Sequence, residues 1–479
     1  MRPKKGALLY LIFTAFLFVS AQCHKNGNPG PTPPPPPATS DVESWQTLAD
    51  RTVLLQKKNT TISFSTNNNI YPSIAVDSTI QYQSIDGFGY ALTGGSAMMI
   101  HQMDQTSRNN LLNELFGNGD NSIHVSYLRI SIGASDLDPA VFSYNDLPSG
   151  QTDVDQTKFS ISPDKVHLIP VLKEILAINP NIKIMGSPWS PPTWMKDNNS
   201  SVGGSLKPEF YNSYATYFVK YIQAMKAEGI SITSITPQNE PLHPGNNPSM
   251  YMTAEQERDF IKNSLGPAFQ AAGITTKIII YDHNLDRPDY PITVLSDPDA
   301  AKYIDGSAFH LYAGNVSAMT QVHNAFPNKN LYFTEQWTGS KEPFDGTLQW
   351  HINNVIIGTM RNWSKLAVEW NLASDPNFQP HTPGGCTECM GALTINGSVF
   401  TRNVSYYIIG HAAKFVPPGS IRISSTQSDL FPNVVFLTPS GKKVMIVLNA
   451  GGANTFNIAY NGKWATVPIE SKSVMTLVW

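Results

Sequence analysis

Eight short apolar runs, most of them separated by stretches of helical periodicity, constrain this chain more than any other feature. They lie at 84–92, 126–133, 182–188, 230–235, 277–281, 306–312, 331–335 and 365–371. Amphipathic helices fit between them. One at 107–116 carries Leu111, Leu112, Leu115 and Phe116, and one at 162–178 opens with Ser-Pro-Asp, a good helix start. A third at 208–228 places Tyr211, Tyr214, Phe218, Tyr221, Ile222 and Met225 at helical spacing. A fourth at 253–272 opens on Thr253 with Gln256 three residues later, a capping box. No clear helix follows the fifth run. Strand–helix alternation argues a parallel sheet covered by helices, and eight units argue a (β/α)8 barrel. A doubly wound sheet is the alternative, but its phosphate turn is absent: Gly87 and Gly89 lack the third glycine at the required spacing.

In such a barrel the strand C-termini share one face and carry the chemistry. Polar and aromatic residues fall at those ends here: Asp136, Trp189, Glu240, His310, Tyr312, Glu335 and Trp370. Two of them matter most. Glu240 closes Ile235-Thr-Pro-Gln-Asn-Glu240-Pro241, and Glu335, 95 residues on, closes Leu331-Tyr-Phe-Thr-Glu335. A carboxylate seldom ends a buried strand unless it is paired or used. Two carboxylates at two strand ends are what glycoside hydrolysis requires. The plainer alternative, two solvated surface glutamates, does not explain why both sit where apolar runs stop.

The ends of the chain read differently. Residues 51–77 and 420–479 show short alternating strands, clearest at 444–448, 455–459 and 473–477, with turn residues at Pro439-Ser-Gly441, Gly451-Gly452 and Asn461-Gly462. They predict a β-sandwich side domain built from both ends: 46–78 and 413–479, flanking a catalytic barrel at 79–412.

Ahead of these, Arg2, Lys4 and Lys5 precede an apolar run over 7–20, the layout of a secretory signal. Residues 1–22 are expected to be that signal. Ser20-Ala-Gln-Cys23 resembles a lipoprotein box, which would make Cys23 the acylated first residue of a membrane-anchored, exported bacterial protein facing the periplasm or the cell exterior. A plain signal peptide is the alternative. Residues 23–45, with Pro31 and Pro33 to Pro37, read as an extended spacer. Net charge is −3, so no nucleic-acid partner is expected, and no protein partner is evident. Cys386 and Cys389 are expected to close a small disulfide outside the cytoplasm, with a zinc half-site or a redox pair as rivals. No cofactor motif is present. His101, His124, His243 and His310 are scattered without metal-ligand spacing, so no metal is expected.

Five motifs, in this order, resemble glycoside hydrolase family 30, the family of lysosomal glucosylceramidase and of β-1,6-glucanases. They are Asp86-Gly-Phe-Gly89, Ser187-Pro-Trp-Ser-Pro-Pro-Thr-Trp194, Thr236-Pro-Gln-Asn-Glu-Pro241, Phe309-His-Leu-Tyr312 and Phe333-Thr-Glu-Gln-Trp337. The resemblance spans 50–479 and implies the barrel, the side domain and a retaining mechanism. It makes Glu240 the acid/base and Glu335 the nucleophile, with Asn239 on the sugar 2-hydroxyl. Arg129 and Tyr312 would orient Glu335, and His310 would line the same wall. Asp136 and Trp189 would bind the far hydroxyls, and Trp370 would form a stacking wall. Trp194 is expected to be packing, and His243 to line the leaving-group side. The segment from His381 to Cys389 resembles the bacterial β-1,6-glucanase branch, so the expected substrate is a β-glucan cut by an endo-β-1,6-glucanase. An exo-acting β-glucosidase, glucosylceramidase or β-xylosidase is second. A non-catalytic glycan-binding lipoprotein is the reading from another class.

Overall fold

Eight parallel strands close into a barrel in the computed structural model, which describes residues 40–479. The expected signal segment 1–22, Cys23 and most of the expected spacer lie outside the described residues. In chain order the barrel strands are Gly87–Ala91, Tyr127–Ser131, Lys183–Ser187, Ser234–Ile235, Lys277–Leu285, Ile304–Gly314, Asn330–Glu335 and Ser364–Asn371. Each pairs with the next, and the eighth pairs with the first. The fourth is only two residues long, shorter than the expected 230–235. The fifth runs to Leu285, four residues past the expected end.

The helices follow the predicted periodicity with trimmed ends. Gln105–Phe116 is capped by the Asp104 side chain, and Ala254–Phe260 begins with the Thr253/Gln256 capping box. The expected 162–178 helix starts as a 3-10 turn and becomes α-helical at Leu168–Ile178. After the fifth strand come only Asp289–Leu295 and Pro298–Ala301, too short to leave a periodic signature. Among the described residues no helix is long and apolar enough to cross a membrane.

Side chains alternate along each strand, so every second residue enters the barrel. One inward layer is apolar and packs Tyr127, Met185, Ile279, Ala308, Tyr332, Leu366 and Val368 together. Two residues further along the strands that layer turns polar: Arg129, Ser187, His310 and Thr334, all buried. The apolar layer plugs the barrel, and the polar layer forms the floor of whatever lies above.

The side domain draws on both ends of the chain. Glu43–Leu48 pairs along its whole length with Ser473–Val478, from Glu43 opposite Val478 to Leu48 opposite Ser473. Glu43 to Trp45 are therefore strand, and the expected spacer boundary at 45 moves earlier. Ser73–Ser84 pairs with Ile421–Ser425 on one side and Asn454–Tyr460 on the other, so this strand carries the side domain past the expected limit of 78. At the far boundary the helix Val404–Ala413 runs one residue beyond 412. The hairpin Asn454–Tyr460 to Lys463–Ile469 turns through Asn461 and Gly462, both at positive φ (51° and 71°), as a tight two-residue turn demands.

Candidate active site

At the end of the fourth strand the chain is held residue by residue. Asn239 N–H donates to Pro188 O at 2.8 Å, and Glu240 N–H donates to Asp282 O at 3.0 Å. Glu240 takes a left-handed backbone, φ 46°, just before Pro241. Glu335 ends the seventh strand, and His310 and Tyr312 lie in the sixth. Arg129 sits inside the second strand and reaches up from the polar layer.

These residues meet. His310 Nδ1 lies 3.1 Å from Glu240 Oε1 and 3.7 Å from Glu335 Oε1. Oxygens of the two glutamates approach within 4.8 Å of each other. Glu335 accepts from two donors: Arg129 Nη1 at 2.6 Å on Oε2 and the Tyr312 hydroxyl at 2.9 Å on Oε1. Arg129 Nη2 donates to Asn239 Oδ1 at 2.7 Å, which leaves the Asn239 amide NH2 for the cavity. Trp189 and Trp370 stack with centroids 5.3 Å apart, and the Arg129 guanidinium lies 4.9 Å from the Trp189 ring. Cys386 and Cys389 form a disulfide, and Cys386 N–H reaches Asp136 Oδ2 at 3.3 Å.

All of these except Arg129 and His310 line one cavity of about 420 Å³, and those two form its floor. His243, Asn246, His283, Asn284 and Trp337 complete the wall. Trp194 stays out, its indole N–H donating to Asn145 O at 2.9 Å in the packing role expected of it. A larger cleft, about 880 Å³, opens beside the strand N-termini against the side domain, near Trp45 and Phe415. It lacks paired buried carboxylates and the C-terminal-face position where barrel chemistry resides.

One residue of the site escapes the sequence reading. Asp282, fully buried, accepts from Arg129, Ser187, Thr236 and Thr334 and lies 3.1 Å from His310 Nε2. It stands one residue past the expected end of the fifth run, so the strand-end rule applied elsewhere points to it.

The electrostatics follow from burial and these contacts. Burial works against the charge of Asp282, but Arg129 and the His310 and Thr334 donors outweigh it and hold the carboxyl well below its ordinary range. Burial also works against a charged His310, yet Glu335, Asp282 and Glu240 outweigh it and hold the imidazole up to about 9. Burial and then the glutamate charges push Asp136 up to about 7. Burial raises Glu335 against the pull of His310 and Arg129, and Glu240 adds to the rise. Burial also pushes Glu240 up, but the His310 hydrogen bond and charge draw it below its usual value. The two glutamates titrate as a pair. Asp282 and one glutamate balance Arg129 and His310, so the pair keeps one proton. Glu240, His310 and Glu335 stand close enough to hold a metal ion, but the guanidinium and the imidazolium oppose a third cation there.

Comparison with known proteins decides the family. The model of the glycosyl hydrolase family 30 TIM-barrel domain matches residues 85–416, and that of the family's beta sandwich domain matches 419–477. The chain belongs to glycoside hydrolase family 30. As a family 30 protein it is a glycoside hydrolase, and the two matched domains meet between the barrel's last helix and the strand at Ile421. The chain is similar to an endo-1,6-beta-D-glucanase of Neurospora crassa, 35% identical over 407 residues that cover 82% of each protein. It is also similar to the lysosomal acid glucosylceramidase of Mus musculus, 31% identical over 398 residues, 77% of this chain and 75% of that one. The solved structure of the endo-beta1,6-glucanase BT3312 superposes with a TM-score of 0.85 at 36% identity, covering 92% of this chain and 99% of its own.

Proposed function

We propose that this family 30 hydrolase is an endo-β-1,6-glucanase that acts by retaining double displacement, with Glu335 as nucleophile and Glu240 as acid/base. The observation that carries the mechanism is the unequal donor set around two carboxylates within 4.8 Å. Retaining enzymes hold their carboxyls about 5–5.5 Å apart, and inverting ones leave room for a water between them. Arg129 and Tyr312 commit two close donors to Glu335. Glu240 has His310 at 3.1 Å and a longer contact, 3.4 Å, from Asn246. In the free protein the pair leans the other way, with Glu335 raised by burial and Glu240 lowered by His310 against burial, but the two titrate as one system and the shorter donors lie on Glu335. During bond cleavage we therefore take Glu335 as the ionised member and Glu240 as the carrier of the shared proton.

Glu335 attacks the anomeric carbon as the glycosidic bond breaks, and Glu240 gives its proton to the departing oxygen. The glycosyl ester removes the charge on Glu335, so Glu240 becomes a carboxylate that takes a proton from the attacking water. The Asn239 amide donates to the 2-hydroxyl, a bond that strengthens in the transition state. Asp136, held up to about 7, meets the far hydroxyls, and the Trp189–Trp370 pair walls the ring. The β-1,6 linkage and endo action are supported by relatives at 34–36% identity that bear that name, against 28–31% for those named glucosylceramidase.

The test is product size from pustulan, laminarin and aryl β-glucosides. Oligosaccharides of several units from pustulan are expected. Glucose alone from every substrate would make the enzyme exo-acting, and no release from any of them would leave a glycan-binding protein.

A further inference from the structure

One carboxylate lies beneath both glutamates and touches neither. Tyr281 and Asp282 hold consecutive left-handed backbone, φ 76° and 56°. The paired register of the fifth and sixth strands slips at this point. The irregularity breaks the strand's alternation and turns the Asp282 side chain into the barrel. Glu257, on the helix after the fourth strand, pins it from behind by accepting Tyr281 N–H at 3.2 and 3.3 Å.

Asp282 then reaches both halves of the site. Through Oδ2 it accepts from Arg129 Nη2 at 2.7 Å, while Nη1 of the same guanidinium serves Glu335. Through Oδ1 it takes His310 Nε2–H at 3.1 Å, while Nδ1 of the same ring faces Glu240 Oε1. Through its backbone oxygen it anchors Glu240 N–H. A neutral imidazole protonated on Nε2 would present a lone pair to Glu240 and draw the acid's proton onto the wrong oxygen. An imidazolium instead donates Nδ1–H to Oε1. The proton of Glu240 is then left on Oε2, which Asn246 of the cavity wall approaches.

We propose that Asp282 is a positioning residue: its charge holds His310 as an imidazolium on Glu240 Oε1 and so keeps Oε2 for the proton given to the leaving group. The proposal rests on the acid/base assignment of Glu240. The groups facing His310 are Asp282, Glu240, Glu335 and Tyr312, together with His283, which burial lowers to about 4 and leaves neutral. Arg129 acts on the ring through Asp282. The carboxylates are thus the source of the imidazolium's stability, and Asp282 is the one of them that makes no contact with substrate.

Asp282→Asn keeps the shape and removes the charge. On aryl β-glucosides with poor leaving groups kcat is expected to fall on the order of 10²-fold with little change in KM. The alkaline limb of the pH profile is expected to move at least one unit lower, as the imidazole returns toward its ordinary range. An unmoved alkaline limb overturns the proposal. Thr334→Val removes one donor to Asp282 and keeps its charge, so its alkaline limb is expected to stay in place; an equal shift would mean packing and not charge, and would also overturn it. If the Asn variant does not fold, nitrogen NMR of the wild-type imidazoles decides. His310 protonated on both nitrogens at pH 8 supports the proposal, and a neutral ring overturns it. A wild-type enzyme inert on every β-glucoside would instead remove the acid/base reading, while the NMR arm would still report the charge of His310.

Discussion

Glu240 has a side chain and a following proline, yet its backbone is left-handed. Such a conformation costs of order 1–3 kcal/mol. It persists because Asn239 N–H, Glu240 N–H and Glu240 Oε1 each have a fixed partner. The strain aims the carboxyl, and the donors around it assign its work. Glu240→Ala should therefore hurt hydrolysis most when the leaving group is poor. With an activated aryl glucoside the first step no longer needs the acid, and the glycosyl ester on Glu335 should accumulate for want of a base. Azide needs no base and fits the space left, so it should speed turnover and yield a β-glucosyl azide. Kinetics with and without azide, with the product identified, check this; no acceleration, or an α-azide, would count against the assigned roles. Both glutamates are legible in the sequence because each ends an apolar run, where a carboxylate has no packing purpose. Arg129 stands inside a run and is reached only through the family resemblance; His310 is legible near the end of the sixth run, but its place on the wall beside Glu335 comes only from that resemblance. Asp282 directly follows the fifth run, where the strand-end rule marks it as a candidate, but its turn into the barrel comes from a backbone bulge that leaves no trace in the pattern of apolar residues.

The same limit recurs among the elements. Strand existence is written in apolar runs, and all eight barrel strands sit where those runs fall. Strand length is set by pairing partners, so the two-residue fourth strand and the nine-residue fifth are not readable from their own residues. The side domain offers the converse lesson. Lys443–Asn449 reads as an almost unbroken apolar run, and the structure explains why: both faces are buried. Met445 and Val447 enter the sandwich core, and Val444, Ile446 and Leu448 join the apolar cluster of the barrel. Phe436 on the neighbouring strand meets Phe88 of the first barrel strand, ring centroids 6.4 Å apart. Met445→Ala and Ile446→Ala should therefore each destabilise the protein by about 2–5 kcal/mol. An outer sandwich face open to water would tolerate Ile446→Ala within about 0.5 kcal/mol. Denaturant unfolding of the two variants distinguishes the cases, and a neutral Ile446→Ala would mean that the side domain does not share the barrel's core.

Across the whole molecule, the buried acids set how stability responds to pH. Burial pushes Asp138 to about 6, Asp136 to about 7, and Asp164 and Glu257 to about 8. Each is raised above its unfolded value near 4, so the folded state binds protons that the unfolded chain has released. Their contribution is fully present below about pH 4 and is lost as pH rises through 6 to 8. His310, raised to about 9 by its three carboxylate neighbours against burial, has the same sign between about 6.5 and 9. Other groups oppose this. Burial lowers His283 to about 4 and His411 to about 3, so their contribution is lost as pH falls below about 6.5. Burial lowers Lys196 to about 7, so the unfolded chain holds its proton above that pH and stability gains as pH rises there. Asp153 and Glu228, each drawn down to about 2 by the donors around it, matter only in acid. Burial also lowers the partly exposed His167 and His323. Between pH 5 and 8 the four raised carboxyls, all held far above their ordinary range, outweigh these histidines, and from pH 7 His310 offsets Lys196. The net slope is negative, so Tm should be higher at pH 5 than at pH 8. The fall should be smaller in Glu257→Gln, which removes one of the groups responsible and keeps an acceptor for Tyr281 N–H. Calorimetric scans of both proteins across this range make the comparison; a wild-type Tm that climbs from pH 5 to 8 would mean that these acids are ionised in the folded core.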